Sequence, residues 1–146
     1  MIMRIGRNSL NMAVARLIAQ RGTCQRGRVG CVITQDGRVV STGYVGAPSG
    51  LPHCKDTGCE IGANGGCSTT SHAEAGAIAF AARKGTPLEG STLYITMSPC
   101  ETCAKLIINA GIKKVIYGDE YRDAKGLELL IVAGLSVSQE VDNYED

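Results

Sequence analysis

Two short segments well separated in the chain, His72-Ala73-Glu74 and Pro99-Cys100-Glu101-Thr102-Cys103, constrain the fold more than any other feature. One imidazole and two thiols are three borderline or soft donors suited to Zn²⁺. Three protein donors leave the fourth tetrahedral position open, as in a catalytic rather than a structural site. A fold that uses them together must bring the chain near residue 72 against the chain near residue 100. Water on such a metal ionises near neutral pH and becomes a nucleophile. Glu74, two positions past the imidazole, is then placed to move protons for whatever reacts there. Taken alone, Cys100 and Cys103 fit a redox pair or half of a structural zinc site as well as a catalytic one. The proline before them and the His-x-Glu upstream tip the reading to the catalytic arrangement.

The chain of 146 residues is long enough for one domain with a real core. Its net charge of +1, with acids and bases interspersed, lacks the basic surplus of a protein that grips a polynucleotide backbone. One Phe, five Tyr and no Trp supply few stacking platforms, so a small-molecule substrate is favoured over a nucleic acid. No stretch reaches the length of an apolar membrane span, and Met1 to Arg7 is too polar for a signal-peptide core, so a cytoplasmic protein is expected. Seven cysteines without a secretion signal point to metal sites rather than disulfides.

Asn8 or Ser9 is expected to cap a first helix over about 9–21, with Leu10, Val14, Leu17 and Ile18 on one face and Gly22 stopping it. Residues 29–34 and 38–43, joined through Asp36-Gly37, read as a β-hairpin, with Cys31 a small buried side chain inside its first strand. Residues 44–70 are rich in Gly and Cys and show little periodicity, so this long loop is either functional or held together by something. A helix over about 72–84, capped by Thr69, Thr70 or Ser71, should turn Ile78 and Ala81 or Ala82 to a sheet. A strand at 92–96 precedes a helix at about 99–110, opened by Pro99 in its first turn and facing Leu106, Ile107 and Ala110 inward. Residues 115–117 read as a strand and 123–133 as a helix. Residues 135–137 read as a last strand before an acidic, frayed tail from Gln139. The alternation predicts an α/β fold, a mixed five-stranded sheet with helices on both faces in three α/β/α layers. In that layout His72 and Cys100 both fall at helix starts, where backbone N–H groups and the positive dipole end favour a thiolate or an oxyanion.

His-x-Glu followed by Pro-Cys-x-x-Cys is the signature of the zinc deaminases. The chain resembles the deoxycytidylate (dCMP) deaminases within the cytidine deaminase superfamily, from Cys24 to about Lys125. The narrower marks are Cys24-Gln-Arg26-Gly-Arg28-Val-Gly30, Gly43-Tyr44-Val45-Gly46-Ala47-Pro48-Ser49-Gly50, Ser98-Pro99-Cys100, and Gly118-Asp119-Glu-Tyr121-Arg122-Asp123. The resemblance implies zinc held by His72, Cys100 and Cys103, attack of an activated water on C4 of cytosine, and Glu74 shuttling protons to N3 and the leaving ammonia. The backbone of Cys100 and Ser98 would touch the reacting centre, and Tyr121 would stack near the base. Arg26, Arg28, Ser49 and Arg122 are candidates for the 5′-phosphate, since a guanidinium matches a phosphate bidentately. A second, structural zinc on Cys54, Cys59, Cys67 and Cys24 is implied in the same way, with His53 as a substitute ligand and a redox or disulfide role as the alternative.

Two positions depart from the family pattern. Val45 and Gly76 stand where the resemblance calls for asparagines in the pocket wall, so the expectation includes a pocket reshaped for a 5-substituted dCMP, methylated or hydroxymethylated. The resemblance further implies a homo-oligomer, commonly a hexamer, with dCTP and Mg²⁺ as activator and dTTP as inhibitor. A tRNA or other nucleic-acid deaminase and a non-catalytic zinc module are the competing readings. Charge balance and Glu74, respectively, speak against them.

Overall fold

The computed structural model describes residues 2–141 and 144–145. In chain order the elements are β1 (Arg4–Ile5), α1 (Arg7–Ala19), β2 (Gly30–Gln35), β3 (Arg38–Tyr44), α2 (Cys54–Thr57), α3 (Ala73–Lys84), β4 (Thr92–Met97), α4 (Glu101–Asn109), β5 (Lys114–Asp119), α5 (Lys125–Val132), β6 (Ser136–Gln139) and β7 (Tyr144–Glu145). Five strands form one sheet in the order β3-β2-β4-β5-β6, antiparallel from β3 to β4 and parallel from β4 to β6. The mixed five-stranded sheet expected from the sequence is therefore the observed one. The Asp36-Gly37 turn joins β2 to β3 with both φ angles positive, 49° and 74°, the backbone a two-residue hairpin turn demands.

Strand alternation divides the core. Val32, Tyr94 and Ile116 pack with Met12 and Ala15 of α1 on one face. Cys31, Ile33, Leu93, Ile95 and Val115 turn to the opposite face, where α3, α4 and α5 bring Ala77, Ala81, Ala104, Ile107 and Leu130. The parallel β4-α4-β5-α5-β6 run keeps α4 and α5 together on that face, as crossover connections of one hand require.

Helix α1 differs from its expected form. It starts two residues earlier, behind Gly6, and buries Met12, Ala15 and Ala19, leaving Leu10 47% and Leu17 71% exposed. The reason is a close approach: a Cβ on Gly30 would coincide with the carbonyl oxygen of Ala15 and lie 2.7 Å from the nitrogen of Ala19. Ala15 and Ala19 sit tightly on β2 with Met12 beside them, Val14 and Ile18 of the expected face still pack half-buried against the same cluster, and Leu10 and Leu17 turn outward.

Other boundaries shift for local reasons. Helix α3 is preceded directly by His72 rather than by Thr69, Thr70 or Ser71, and α4 begins after Cys100, so Pro99 stands ahead of the helix and not in its first turn. Leu106 is 40% exposed, the inward face of α4 being Cys103, Ala104 and Ile107. The tail is not simply frayed. Gln139 closes β6, Tyr144–Glu145 pairs antiparallel with Arg4–Ile5, and positions 142, 143 and 146 of that expectation lie outside the described residues. Glu140, whose side chain is only 3% exposed, accepts a hydrogen bond from Ser9 Oγ at 3.1 Å and pairs with Arg16 at 3.5 Å. Glu140→Ala should therefore lower unfolding stability by about 1–2 kcal/mol, read as a shifted urea midpoint, because it strips the charged partner from groups on α1.

Candidate active site

The two marked segments meet at adjacent helix starts. His72 immediately precedes α3 and Cys100 immediately precedes α4, both in extended backbone conformation, while Cys103 lies in the first turn of α4. Two glycines make the junction tight. Gly43 of β3 lets the backbone of Ala73 and Ala77 press against the sheet, and Gly126 of α5 occupies space that a Cβ would share with the carbonyl of Pro99.

His72 Nδ1 stands 3.5 Å from Cys100 Sγ and 3.4 Å from Cys103 Sγ. Tetrahedral bonds to zinc of ordinary length put a nitrogen and a sulfur roughly 3.5 Å apart and two sulfurs roughly 3.8 Å apart, so the donors sit at the spacing a bound zinc requires. Their charges are poised as well. A hydrogen bond from Cys103 holds the Cys100 thiol down at about 4 despite its burial, with His72 helping. The same bond and burial push Cys103 up, and Cys100 raises His72. Without a cation the two thiols share a proton that a metal would displace.

Glu74 is 3% exposed, in the first turn of α3 on the same side. Burial raises its carboxyl above the usual carboxylate range, opposed by its own backbone N–H and by His72. Cys31, fully buried in β2 beneath it, belongs to neither thiol cluster.

A cleft of about 220 Å³ opens over this corner, lined by His72, Glu74, Ser98, Cys100, Val45, Tyr121, Arg26 and Arg122 among others. Ser98 is buried, and its Oγ accepts the N–H of Tyr121 at 2.7 Å, which ties the Tyr121-Arg122 segment to the end of β4. Arg122 lies 5.4 Å from the Tyr121 ring centroid.

Three candidates fall elsewhere. Arg28 bonds Gln20 Oε1 at 3.1 Å and lines a separate cavity with Arg16, Thr96 and Asp119; the turn at Gln25–Arg26 breaks the alternation that would have kept it beside Arg26. Ser49 is carried to solvent by the turn from Pro48 to Leu51. Gly76 is not on the cleft wall, and a Cβ there would meet nothing within 4 Å. The room expected at Gly76 thus does not enlarge the pocket, whereas Val45 does face it.

The Cys-rich loop is ordered around a second cluster. Cys24, Cys54, Cys59 and Cys67 have their sulfurs within 4.8 Å of one another, with Cys54 and Cys67 3.5 Å apart and Cys24 and Cys59 3.9 Å apart. Four donors at that spacing would close a tetrahedral shell. Burial pushes Cys54 up to about 12, whereas Cys67, raised by burial, is pulled down to about 6 by the backbone and hydroxyl of Thr70 and the backbone of Thr69. His53 turns away to Thr23 Oγ1 at 3.2 Å. Cys24 and Cys67 also line the cleft, so the two clusters share a wall.

Sequence reading missed Gly65, Gly66, Thr70 and Met97 on that wall. The Asn64-Gly65-Gly66 run was a legible turn signal, but nothing local says a turn will lean over a cleft.

The model of the cytidine and deoxycytidylate deaminase zinc-binding region matches residues 7–119. Over 137 residues the chain is 41% identical to ComE operon protein 2 of Bacillus subtilis, covering 93% of this chain and 72% of that one. It is 35% identical to the deoxycytidylate deaminase of Enterobacteria phage T4, with 75% and 76% of the two chains covered. The crystal structure of dCMP deaminase from the cyanophage S-TIM5 in complex with dCMP and dUMP superposes with a TM-score of 0.80 at 35% identity, over 88% of this chain and 93% of that chain. A structure from work on tRNA:A34 deaminases matches at 22% identity and a TM-score of 0.62, a likeness of fold alone.

Proposed function

Because this chain belongs to the cytidine and deoxycytidylate deaminase zinc-binding family, we propose that it catalyses hydrolytic deamination of dCMP to dUMP and ammonia. The observation that carries the reading is the placement of a buried Glu74 beside the His72, Cys100 and Cys103 cluster, with His72, Glu74 and Cys100 lining one cleft. Relatives named deoxycytidylate deaminase and the dCMP- and dUMP-bound neighbour support the choice of nucleotide.

His72 Nδ1 and the sulfurs of Cys100 and Cys103 would hold the catalytic zinc, and their spacing and charge fit it. When bound, that ion lowers the pKa of a water toward neutrality. The Glu74 carboxylate accepts a proton from the attacking water, delivers it to ring N3, and carries the second proton to the departing amine. C4 gains oxygen and loses ammonia, so the balance closes with one water consumed. Ser98 and the start of α4 form the wall against which the amino-bearing edge of the ring lies, and Tyr121 offers a face to the base. Arg26 and Arg122 are the cationic groups of the cleft, suited to the 5′-phosphate.

The same reading includes a structural zinc on Cys24, Cys54, Cys59 and Cys67, supported by their spacing. It also includes a cytoplasmic setting and a homo-oligomer. The helix finding here is that no described helix is long and apolar enough to cross a membrane, and the apolar side chains left outward on α1 suit a protein neighbour. Regulation by dCTP with Mg²⁺ and by dTTP is carried by family likeness.

Initial rates for dCMP, 5-methyl-dCMP, 5-hydroxymethyl-dCMP, CMP, deoxycytidine and dCTP, with and without dCTP as effector, test this directly. We expect dCMP to be turned over and to exceed deoxycytidine by at least about tenfold, since the cleft keeps its arginines. A 5-substituted nucleotide outrunning dCMP would move the specificity to Val45, the departure that faces the cleft. Absence of turnover on every cytosine nucleotide would end the proposal.

A further inference from the structure

The two cleft arginines are not free in the cleft. Arg26 Nη1 donates to the carbonyl of Gly65 at 2.9 Å, and Arg122 Nη2 donates to the carbonyl of Asn64 at 3.3 Å. These carbonyls sit side by side at the tip of a tight turn, built by Gly62 N–H to Gly66 O at 2.8 Å, Gly65 N–H to Gly62 O at 3.0 Å, and Gly66 N–H to Asn64 Oδ1 at 3.0 Å. The base of the turn is closed by an Ile61 to Cys67 bridge and by Ser68 N–H to Glu60 O at 2.8 Å. Cys59 and Cys67 flank that base, and both belong to the four-thiol cluster. Another member of the cluster, Cys24, lies two residues before Arg26.

We propose that the 62–66 turn is a positioning device. Anchored by the four-thiol cluster, it uses the Asn64 and Gly65 carbonyls to aim Arg122 and Arg26 at the anionic end of the substrate. This rests on reading the cleft as a nucleoside monophosphate site. A guanidinium carries five N–H donors, so one spent on a carbonyl leaves the rest of the fork for phosphate oxygens. Long side chains held in advance lose less freedom when the ligand arrives. Asn64 is then a positioning residue, acting through the turn and not on substrate.

The test uses the zinc-loaded enzyme and binding rather than turnover alone. Calorimetry compares dUMP with deoxyuridine on wild type, Asn64→Ala, Asn64→Ser, Arg122→Ala and the Asn64→Ala/Arg122→Ala pair, with zinc content measured on each. We expect Asn64→Ala to weaken dUMP about five- to tenfold, leave deoxyuridine and zinc content unchanged, and add little on top of Arg122→Ala. Ser, which can form a weaker side-chain turn bond, should recover part of the loss. In kinetics the same variant should raise KM for dCMP with kcat within about twofold. Equal weakening of dUMP and deoxyuridine, full additivity with Arg122→Ala, or no loss at all would overturn the proposal. A wild type that binds dUMP more tightly than deoxyuridine yet turns over no cytosine nucleotide would sink the deaminase reading and leave the positioning role standing.

Discussion

Glu74→Gln is expected to reduce deamination of dCMP by about 10⁴-fold or more while the zinc content stays that of the wild type. The substitution keeps the shape of a side chain that is 3% exposed and removes only its capacity to take up and release a proton. Positioned general acid–base groups are worth roughly 10² to 10⁴ in rate, and in the proposed mechanism one carboxylate serves both transfers, so the loss should sit at or beyond the upper end. The groups placed to hold metal are other residues, His72, Cys100 and Cys103 in one cluster and four cysteines in the second, so metal content is not expected to follow the activity. Turnover measured by loss of the 4-amino absorbance, beside metal analysis of the same preparation, checks both halves. Persistent activity would remove Glu74 from the reaction. Lost zinc would make it a structural residue instead.

The second large effect is one of packing. Gly43→Ala should cost about 3 kcal/mol of stability, toward the top of what overpacking costs, because the added methyl meets backbone rather than a movable side chain. It would overlap the carbonyl oxygen of Ala73 and stand 2.7 Å from the nitrogen of Ala77. Relief requires α3 to lift from β3, and α3 carries Glu74 in its first turn with His72 directly before it. The folded fraction should accordingly bind the catalytic zinc less tightly, a result that a loss of stability alone does not produce. Urea unfolding and competition with a chelator measure the two separately. Unchanged stability would mean that β3 and α3 are less closely coupled than their contact implies.

The chemistry was legible in the sequence because it depends on residue type and local spacing. His72, Glu74, Cys100 and Cys103 announce a three-donor site with a proton carrier whatever fold holds them. The Asp36-Gly37 turn likewise specifies its hairpin through backbone conformations that few residues adopt. A hairpin followed by alternating helices and strands was enough to expect a mixed sheet covered on both faces. What periodicity could not decide was which of two apolar faces of α1 turns inward. Leu10 and Leu17 are the more hydrophobic choice, but the contact with Gly30 admits only Ala15 and Ala19, a constraint that comes from another element. The same holds at the cleft. Arg26 and Arg28 are indistinguishable as sequence, yet past the turn at Gln25–Arg26 one lines the cleft and the other bonds Gln20.

By itself, then, the sequence determined the candidate donors, the acid two residues from His72 and the layered sheet, because identity and short-range spacing decide those. The tertiary structure decided which arginines reach the cleft, that Gly76 stays off its wall, and that the loop from Tyr44 to Thr70 leans over the site. Those outcomes depend on how elements distant in the chain pack and on where their backbone carbonyls come to rest, and no local pattern encodes that.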